Sequence, residues 1–399
     1  MNNNKKLNIG LFGFGVVGEE VYYSLQKNRS IPAIIKKICI KSEEKERNAP
    51  CELFTTDKDE ILYDNDINVV VEVIDDADAA FEIASIAIKE GKAVVSASKK
   101  MIAEHLSEIL KFQKETNLPF LYEAAACASI PVIRNLEEYY DNDLINSLRA
   151  IINGSTNFIL TKMFEENLSF NEALLLAQKL GFAESNPVLD IEGYDAVNKW
   201  CILLNHAYGI VSQTPAILFN GIQNIRSCDA IFAKERKFEI KLVAQAQKLT
   251  NGEIAAFVLP QFVAKDDYLF SVRNEYNGVV VENGFSDRQL FLGKGAGSFP
   301  TASAVLNDIS ALCFNYKYEY KKLYHHTPGI LSDNFHLRVY VSFENTHYIK
   351  EKVFIAVSER YTSDQRQYII GTVHFNDLYN NDWWKKEGVS LILMPDSIL

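Results

Sequence analysis

The strongest constraint on the fold is a glycine pattern close to the N-terminus. A short apolar segment, Leu7–Phe12, runs directly into Gly13-Phe14-Gly15-Val16-Val17-Gly18, and helical spacing follows through residue 25. In a strand–turn–helix unit the first glycine permits a tight turn, the second lets the backbone approach a diphosphate, and the third lets helix and strand pack closely. The pattern predicts a dinucleotide site at the N-terminus of the first helix. Its residues are Gly13, Gly15, Val16, Val17 and Gly18.

The segments that follow alternate between strand and helix patterns. Short β-branched or apolar runs predict strands at 34–40, 67–74, 93–96 and 119–122, and helical spacing occupies 79–90 and 105–116. This alternation is typical of an open, mostly parallel, doubly wound sheet. We therefore expect an α/β protein with a Rossmann-type domain at its N-terminal end.

Charge and composition exclude several classes of partner. The 399 residues include 41 Lys plus Arg against 52 Asp plus Glu, a net charge of −11, which argues against binding to nucleic acid or to an anionic membrane surface. No apolar run approaches the ~18 residues of a membrane span, and glycines interrupt the one stretch that resembles a signal peptide. The six cysteines are scattered, which predicts reduced thiols in a cytoplasmic protein.

The end of the second predicted strand bears on the choice of cofactor. Proteins that bind NAD usually carry Asp or Glu there, to accept a hydrogen bond from the ribose. This chain has Lys41 at that place, followed by Lys45 and Arg47. A cation would attract a 2′-phosphate, so the sequence favours NADP(H) over NAD(H), and the alternative is a solvated basic loop.

A lysine in the middle of the chain precedes a strongly apolar run. Asp195 and Lys199 are four residues apart, and residues 200–204 read Trp-Cys-Ile-Leu-Leu. An exposed ion pair is the ordinary interpretation of such spacing. However, a helix that is apolar nearly all round is buried, and buried charges are usually paired or functional. Lys199 is therefore a candidate functional residue.

Several segments together resemble the homoserine dehydrogenase family, in order over roughly residues 7–312. They are the 13–18 turn, Ser96-Ala97-Ser98-Lys99-Lys100, Tyr122-Glu123-Ala124 with Ile130-Pro131, Asn153-Gly154-Ser155-Thr156-Asn157-Phe158-Ile159-Leu160, residues 181–199, and Gly293-Lys294-Gly295-Ala296-Gly297-Ser298-Phe299-Pro300-Thr301. The resemblance implies reversible NAD(P)-dependent reduction of L-aspartate 4-semialdehyde to L-homoserine, in threonine, methionine and isoleucine biosynthesis. It also implies an amino-acid substrate and a homodimer.

The same resemblance implies roles for individual residues. Lys199 matches the lysine that acts at the substrate carbonyl, and Lys99 matches a second lysine near the nicotinamide. The acidic residues that match substrate-binding positions are Glu184, Asp190 and Asp195. Cofactor contacts are expected from the 13–18 turn and Lys41, and also from Ser98, Lys99 and Gly297. A monovalent-cation site is implied at Glu123, Ala126, Ala128 and Ile130.

The chain departs from the family pattern at three places. Ser98 replaces a usual asparagine, Asp75-Asp76 stands where glycines are common, and Ala125-Ala126-Cys127-Ala128-Ser129 replaces a glycine-rich turn. If a residue of that turn needs positive φ, alanine or serine costs about 1 kcal/mol or more. Two carboxylates at 75–76 would disfavour an anionic ligand unless they point to solvent.

The expected organisation is a nucleotide-binding domain at 1–150 completed by 296–320, a substrate and dimerisation domain at 151–295, and a small α+β region at 321–399. In the last region we predict strands at 337–343, 368–374 and 389–394 and helices at 352–361 and 376–386, a rough match to a degenerate ACT module. The alternative functions are a non-catalytic nucleotide-binding regulatory paralogue and another NADP-dependent oxidoreductase on the same scaffold.

Overall fold

Two sheets organise the chain in a computed structural model that describes residues 6–28, 30–42, 45–142 and 144–398. The first sheet is parallel, and its strand order within the described residues is β3-β2-β1-β4-β5-β6. Its strands are β1 (Leu7–Phe12), β2 (Ala33–Cys39), β3 (Phe54–Thr55), β4 (Val69–Glu72), β5 (Ala93–Ser96) and β6 (Phe120–Leu121). The prediction of a doubly wound parallel sheet is confirmed.

Helices connect these strands and continue through the second half of the chain. They are α1 (Val16–Lys27), α2 (Asp59–Leu62), α3 (Ala77–Lys89), α4 (Lys99–Glu104), α5 (Leu106–Thr116), α6 (Ala124–Cys127), α7 (Val132–Arg134), α8 (Gly154–Glu165), α9 (Phe170–Lys179), α10 (Val188–Ile191), α11 (Tyr194–Tyr208), α12 (Ser227–Glu235), α13 (Ser298–Leu312), α14 (Lys321–Tyr324) and α15 (Phe375–Tyr379). A π-helical turn, Asn135–Tyr139, follows α7.

The central strands of the first sheet are buried because helices cover both faces. Every residue of β4 and β5 is buried, as expected for a parallel strand between two helical layers. Right-handed crossovers from β1 to β2 and from β4 to β5 run in opposite directions across the sheet, which puts α1 and α3 on opposite faces. Helix α13 returns from the far end of the chain to pack against α1, and α5 packs against α3.

The second sheet is mostly antiparallel and has ten strands within the described residues. They are β7 (Ile145–Ile151), β8 (Leu218–Phe219), β9 (Phe238–Lys248), β10 (Ile254–Ala264), β11 (Tyr276–Asn283), β12 (Asp287–Lys294), β13 (His336–Phe343), β14 (Phe354–Thr362), β15 (Gln367–His374) and β16 (Val389–Ile398). The order is β12-β11-β7-β9-β10-β16-β13-β15-β14, and β8 pairs with β10. Helices α8 and α11 pack against this sheet.

The C-terminal region extends the second sheet. The three strands predicted there are confirmed as β13, β15 and β16, and β16 joins β10 through the Gln261–Leu393 pair. The helix predicted at 352–361 is wrong, because that segment is the edge strand β14, paired along one side with β15. The second predicted helix ends early at Tyr379, and a 3-10 turn at Trp383–Lys385 follows.

Candidate active site

The candidate site is a cleft where α4, which follows β5 of the first sheet, meets α11 of the second region. The chain reaches α11 through Gly193, whose φ of +89° favours glycine, so α11 begins at Tyr194. A cavity of about 560 Å³ opens between the helices. It is lined by Lys99, Lys100, Ala103, Glu104, Glu184, Asn186, Leu189, Asp190, Tyr194, Asp195, Asn198, Gln213, Thr214 and Pro215.

Asp195 lies at the centre of this cleft, between two lysines. Its Oδ1 is 2.5 Å from Lys99 Nζ, and its Oδ2 is 2.8 Å from Lys199 Nζ. Asp195 and Lys199 share a face of α11, as their spacing predicts, and both are buried. Lys99 is the first residue of α4, which follows β5 of the first sheet, and 49% of its side chain stays exposed. The structure therefore brings both candidate lysines to one carboxylate.

The two ammonium groups determine the ionisation of Asp195. Burial alone would raise the pKa of this carboxyl, but the charges of Lys199 and Lys99 outweigh burial and hold the pKa well below its usual range. Asp195 in turn raises the pKa of Lys99. Lys199 also donates to the carbonyl oxygen of Ile152 at 2.9 Å. The site thus holds two ammonium groups around one ionised carboxylate.

An asparagine that the sequence analysis did not single out connects the acidic residues. Asn153 Nδ2 donates to Asp190 Oδ1 at 2.7 Å and to Asp195 Oδ2 at 2.8 Å. Its Oδ1 accepts from the backbone N–H of Thr156 at 2.8 Å, so the same side chain caps α8. Because the cap fixes one end of the amide, the other end is aimed at the two carboxylates. In the sequence, the place of Asn153 at the start of a polar turn before a helix was the feature that could have identified it.

The remaining predicted substrate residues also line the cleft. Glu184 is exposed, and Asp190 is half-buried on α10. Opposite them, Thr214 Oγ1 donates to Asn198 Oδ1 at 2.7 Å. Tyr194, Asn198 and Thr214 were missed from the sequence. Tyr194 and Asn198 each adjoin a recognised residue on α11, and Thr214 comes from a distant turn.

The predicted nucleotide turn has the shape that its glycines require. Gly13 has a φ of +96°, and a Cβ on Gly18 would lie 2.1 Å from the carbonyl oxygen of Gly13. A Cβ on Gly15 would meet nothing within 4 Å, so the space above this residue is open, and Val16 beside it is exposed. The free N–H groups of the first turn of α1 adjoin that space. This cradle fits the diphosphate of a nicotinamide dinucleotide.

The basic residues after β2 form an exposed loop. Lys41 is exposed. Arg47 donates to the carbonyl oxygens of Lys45 and Ser42, and its guanidinium lies 5.6 Å from the ring centre of Phe54. Arg47 therefore shapes the loop that presents Lys41 and Lys45.

Asp75 and Asp76 lie in the segment between β4 and α3. Both are exposed, and Asp76 accepts from the backbone N–H of Ala79 as the N-cap of α3. Ser98 precedes α4, and Gly297, with a φ of +112°, precedes α13. Ser98 and Gly297 therefore lie at the starts of two helices: α4, which packs against α11, and α13, which packs against α1.

The turn expected to hold a cation contains a strained alanine. Ala128 has a φ of +44° and is buried. Beside it, the Glu123 carboxylate accepts from the backbone N–H groups of Ile133 and Arg134 at 2.9 and 3.0 Å. The Glu123 N–H donates to Asp308, which also accepts from Arg134. Burial raises the pKa of Glu123 to about 8 and that of Asp308 to about 6.

A cavity of about 60 Å³ lies between Glu123, Ala128 and Arg134. Glu123 lines this pocket together with Arg134, and carboxylate and carbonyl oxygens are the ligands that a small hard cation takes, so the pocket fits such an ion. Among the described residues no group of three or more His, Cys, Asp or Glu side chains forms a metal site. Ala126 and Ile130 belong to the same buried turn and offer backbone carbonyls only.

Sequence comparison identifies the family. The family model described as "Homoserine dehydrogenase" matches residues 131–310, and the one described as "Homoserine dehydrogenase, NAD binding domain" matches residues 13–123. Homoserine dehydrogenase of Bacillus subtilis is 35% identical over 320 residues, covering 78% of this chain and 74% of the relative. The Helicobacter pylori enzyme is 38% identical over 312 residues, covering 76% and 73%. The chain belongs to the homoserine dehydrogenase family.

Solved homoserine dehydrogenase structures agree with this assignment. The Thiobacillus denitrificans enzyme superposes with a TM-score of 0.84 at 27% identity, covering 98% of each chain. A hyperthermophilic archaeal homoserine dehydrogenase in complex with NADPH superposes with a TM-score of 0.68 at 28% identity, covering 79% of this chain and 99% of that one. A nicotinamide cofactor is thus a property of the family. None of the helices in the described ranges has the length and apolar character needed to cross a bilayer.

Replacing Asp195 by asparagine tests the charge cluster. At pH 7, Asp195→Asn should lower the free energy of unfolding by about 3 kcal/mol, because Lys199 stays buried without its counter-ion. Since the folded pKa of Asp195 is depressed, the wild-type advantage is present above the ordinary Asp value of ~3.9 and declines as pH falls below it. Urea unfolding at pH 7, 5 and 3.5 measures this difference, and a gap that stays constant with pH would contradict the assignment.

Proposed function

We propose that this homoserine dehydrogenase family member interconverts L-aspartate 4-semialdehyde and L-homoserine with NADP(H), using Lys199 and Lys99 at the reacting carbonyl. The observation that carries the proposal is the Lys99–Asp195–Lys199 cluster in a cleft that also contains Glu184 and Asp190. Neither alternative function accounts for it. A regulatory paralogue would not need two lysines paired with one carboxylate at a cleft, and the family match argues against another NADP-dependent oxidoreductase on the same scaffold.

The lysines supply what a carbonyl reduction needs from the protein. The bound nicotinamide supplies a hydride to the aldehyde carbon. Negative charge then develops on the aldehyde oxygen, where a positioned ammonium stabilises it and donates a proton. Two of the three N–H groups of Lys199 are directed to Asp195 and the Ile152 carbonyl, which leaves one for the substrate oxygen. Lys99, at the start of α4, supplies the second ammonium group at the same cleft.

The acidic residues suit the other end of the substrate. An amino acid presents an α-ammonium group, which binds to carboxylates. Glu184 and Asp190 line the cleft beyond Asp195, and Asn153 fixes the orientation of Asp190. Because Asp195 is already shared by two lysines, Glu184 and Asp190 are the carboxylates left for the substrate ammonium.

Removing Lys199 should abolish turnover but not nucleotide binding. For Lys199→Met we expect kcat for homoserine oxidation to fall by at least about 10³-fold, because both charge stabilisation and proton transfer are lost. Absorbance of the reduced nicotinamide measures turnover, and nucleotide fluorescence measures binding. Lys111→Met, on the exposed face of α5, is the matched control and should keep wild-type kcat. Turnover by Lys199→Met within tenfold of wild type would refute the assigned role.

The preference for NADP(H) is proposed from the loop after β2. Lys41 follows the strand end at which a ribose is normally bound, at the place where proteins that bind NAD usually carry Asp or Glu. Arg47 braces the loop through two carbonyl oxygens. The archaeal relative solved with NADPH supports this choice of cofactor.

Neutralising Lys41 should weaken NADP selectively. Lys41→Ala is expected to raise the KM for NADP about tenfold, the value of one charge-assisted contact, while the KM for NAD changes less than about twofold. Lys36→Ala, exposed in the middle of β2, is the control that removes an equal charge outside the loop. If the wild type oxidises homoserine faster with NAD, or Lys41→Ala affects both cofactors equally, the NADP assignment fails.

We also propose that a monovalent cation binds beside Glu123, with backbone carbonyls of Ala126, Ala128 and Ile130 as further ligands. The support is the small cavity and the buried Glu123 carboxyl that lines it. A cation there would favour the ionised form of Glu123, whose pKa burial raises to about 8.

The pH dependence of stability tests the cation site. Without added Na⁺ or K⁺, folded Glu123 keeps its proton to about pH 8, whereas the unfolded chain loses it near ~4.5. Stability contributed by this group therefore falls as pH rises between these values. Glu123→Gln should lose less stability than the wild type between pH 5 and pH 8. Adding Na⁺ or K⁺ at ~0.1 M, which also screens exposed charges, should stabilise the wild type more than the variant. An equal response of both proteins would exclude the site.

A homodimer and a cytoplasmic location complete the proposal. The edge hairpin of the second sheet, β11 and β12, exposes Phe285 and Leu292, which suits a contact between copies. All six cysteines are free thiols, as expected in a reducing compartment.

A further inference from the structure

A buried carboxylate at the end of β4 has no role in the site as described above. Glu72 is fully buried, in a strand whose other residues are valines. No lysine, arginine or histidine of the described chain pairs with it; its partners are the hydroxyl of Ser96 at 2.6 Å and the backbone N–H of Ile74 at 2.7 Å. An apolar residue would fit this strand at lower cost, because burying an unpaired carboxylate is unfavourable.

The hydrogen bonds of Glu72 continue towards the active site. Ser96 Oγ, at the end of the neighbouring strand β5, accepts from the backbone N–H of Ser98 at 3.1 Å. Because that oxygen accepts there, its own proton is free to point to Glu72 Oε2. The backbone carbonyl of Glu72 accepts from Ala97 N–H at 3.1 Å. Glu72 therefore holds the turn between β5 and α4 in two ways: its side chain acts through Ser96, and its backbone carbonyl accepts from Ala97.

This turn determines where Lys99 starts. Lys99 is the first residue of α4, a helix of six residues, and Ser98 before it makes no side-chain cap. The Lys99 side chain is half-exposed, and among the described residues its ion pair is with Asp195 across the cleft. Its position therefore depends on the backbone that Glu72 and Ser96 hold.

The other carboxylate oxygen acts on the nucleotide turn. This oxygen accepts from Ile74 N–H and so fixes the segment after β4. That segment packs closely on Gly13, because a Cβ on Gly13 would lie 3.0 Å from both Ile74 Cγ2 and the Val73 carbonyl oxygen. Glu72 thus connects the ends of two adjacent parallel strands at the edge where ligands bind in sheets of this kind.

We propose that Glu72 is a positioning residue that, through Ser96, places Lys99 for the reaction at the cleft. Its kinetic consequence rests on the proposed function, whereas its structural consequence, an anchored Ser98–Lys99 backbone, does not. The two are tested separately.

A double-mutant cycle tests the kinetic consequence. Ser96→Ala removes the middle hydroxyl at almost no change in volume and should lower kcat for homoserine about tenfold, with KM for homoserine changed less than about twofold. In a Lys99→Met background the same change should alter kcat less than about twofold, because the group being positioned is gone. Ser85→Ala, a buried serine of α3 whose hydroxyl has no partner among the described residues, is the control. Equal losses in both backgrounds would overturn the proposal.

Amide hydrogen exchange tests the structural consequence without turnover. Ser96→Ala removes the acceptor of the Ser98 N–H and should speed exchange at Ser98 by about tenfold or more, the value of one lost hydrogen bond, while amides of Val71 and Val95 keep their wild-type rates. Glu72→Gln keeps that acceptor and loses one of the two acceptor oxygens of Glu72, so it should speed exchange at Ser98 by a smaller factor. Unchanged exchange at Ser98, or equal acceleration throughout the sheet, would overturn the proposal. If the wild type binds nucleotide but does not oxidise homoserine, the proposed function fails, and the exchange result still decides the inference.

Discussion

The carboxylate of Asp195 is shared by two ammonium groups that reach it from different parts of the fold, one on the same helix and one from the start of α4, which follows a strand of the other sheet. Two lysines alone would repel each other at this distance, and the burial of Lys199 leaves its charge little solvation. With the carboxylate between them, each lysine has an opposite charge beside it and keeps a defined direction. The packing of α4 on α11, the Asn153 cap and the Gly193 turn all serve to keep this arrangement in place.

Much of this arrangement could be predicted from the sequence. The glycine turn specifies its own conformation, since Gly13 needs positive φ and Gly18 admits no side chain. The buried strands β4 and β5 are short β-branched runs, which few other structures accommodate. The lysine at 199 could be recognised as buried because the residues after it are apolar on every face of α11. In each case a local pattern determines the local structure.

The remaining features depend on partners distant in sequence. The segment of β14 becomes a strand because β15 offers an unpaired edge, while its own exposed residues carry no clear alternation. Asn153 and Thr214 enter the site through the packing of separate elements, which spacing does not reveal. For the turn around Ala128, the sequence alone did not show whether any residue adopts positive φ. The structure shows that Ala128 does. Such backbone strain of ~1 kcal/mol persists when the surrounding contacts compensate for it.

The return of α13 to α1 has a consequence for how the protein is made. Helix α1 packs against a helix encoded almost three hundred residues later. At synthesis rates of ~5–20 residues per second, roughly a quarter of a minute to one minute separates the emergence of the two helices from the ribosome. During that interval the part of α1 that α13 contacts is without this partner. The nascent chain therefore shields it only after β7–β12 of the second sheet have been synthesised, and before β13–β16 follow.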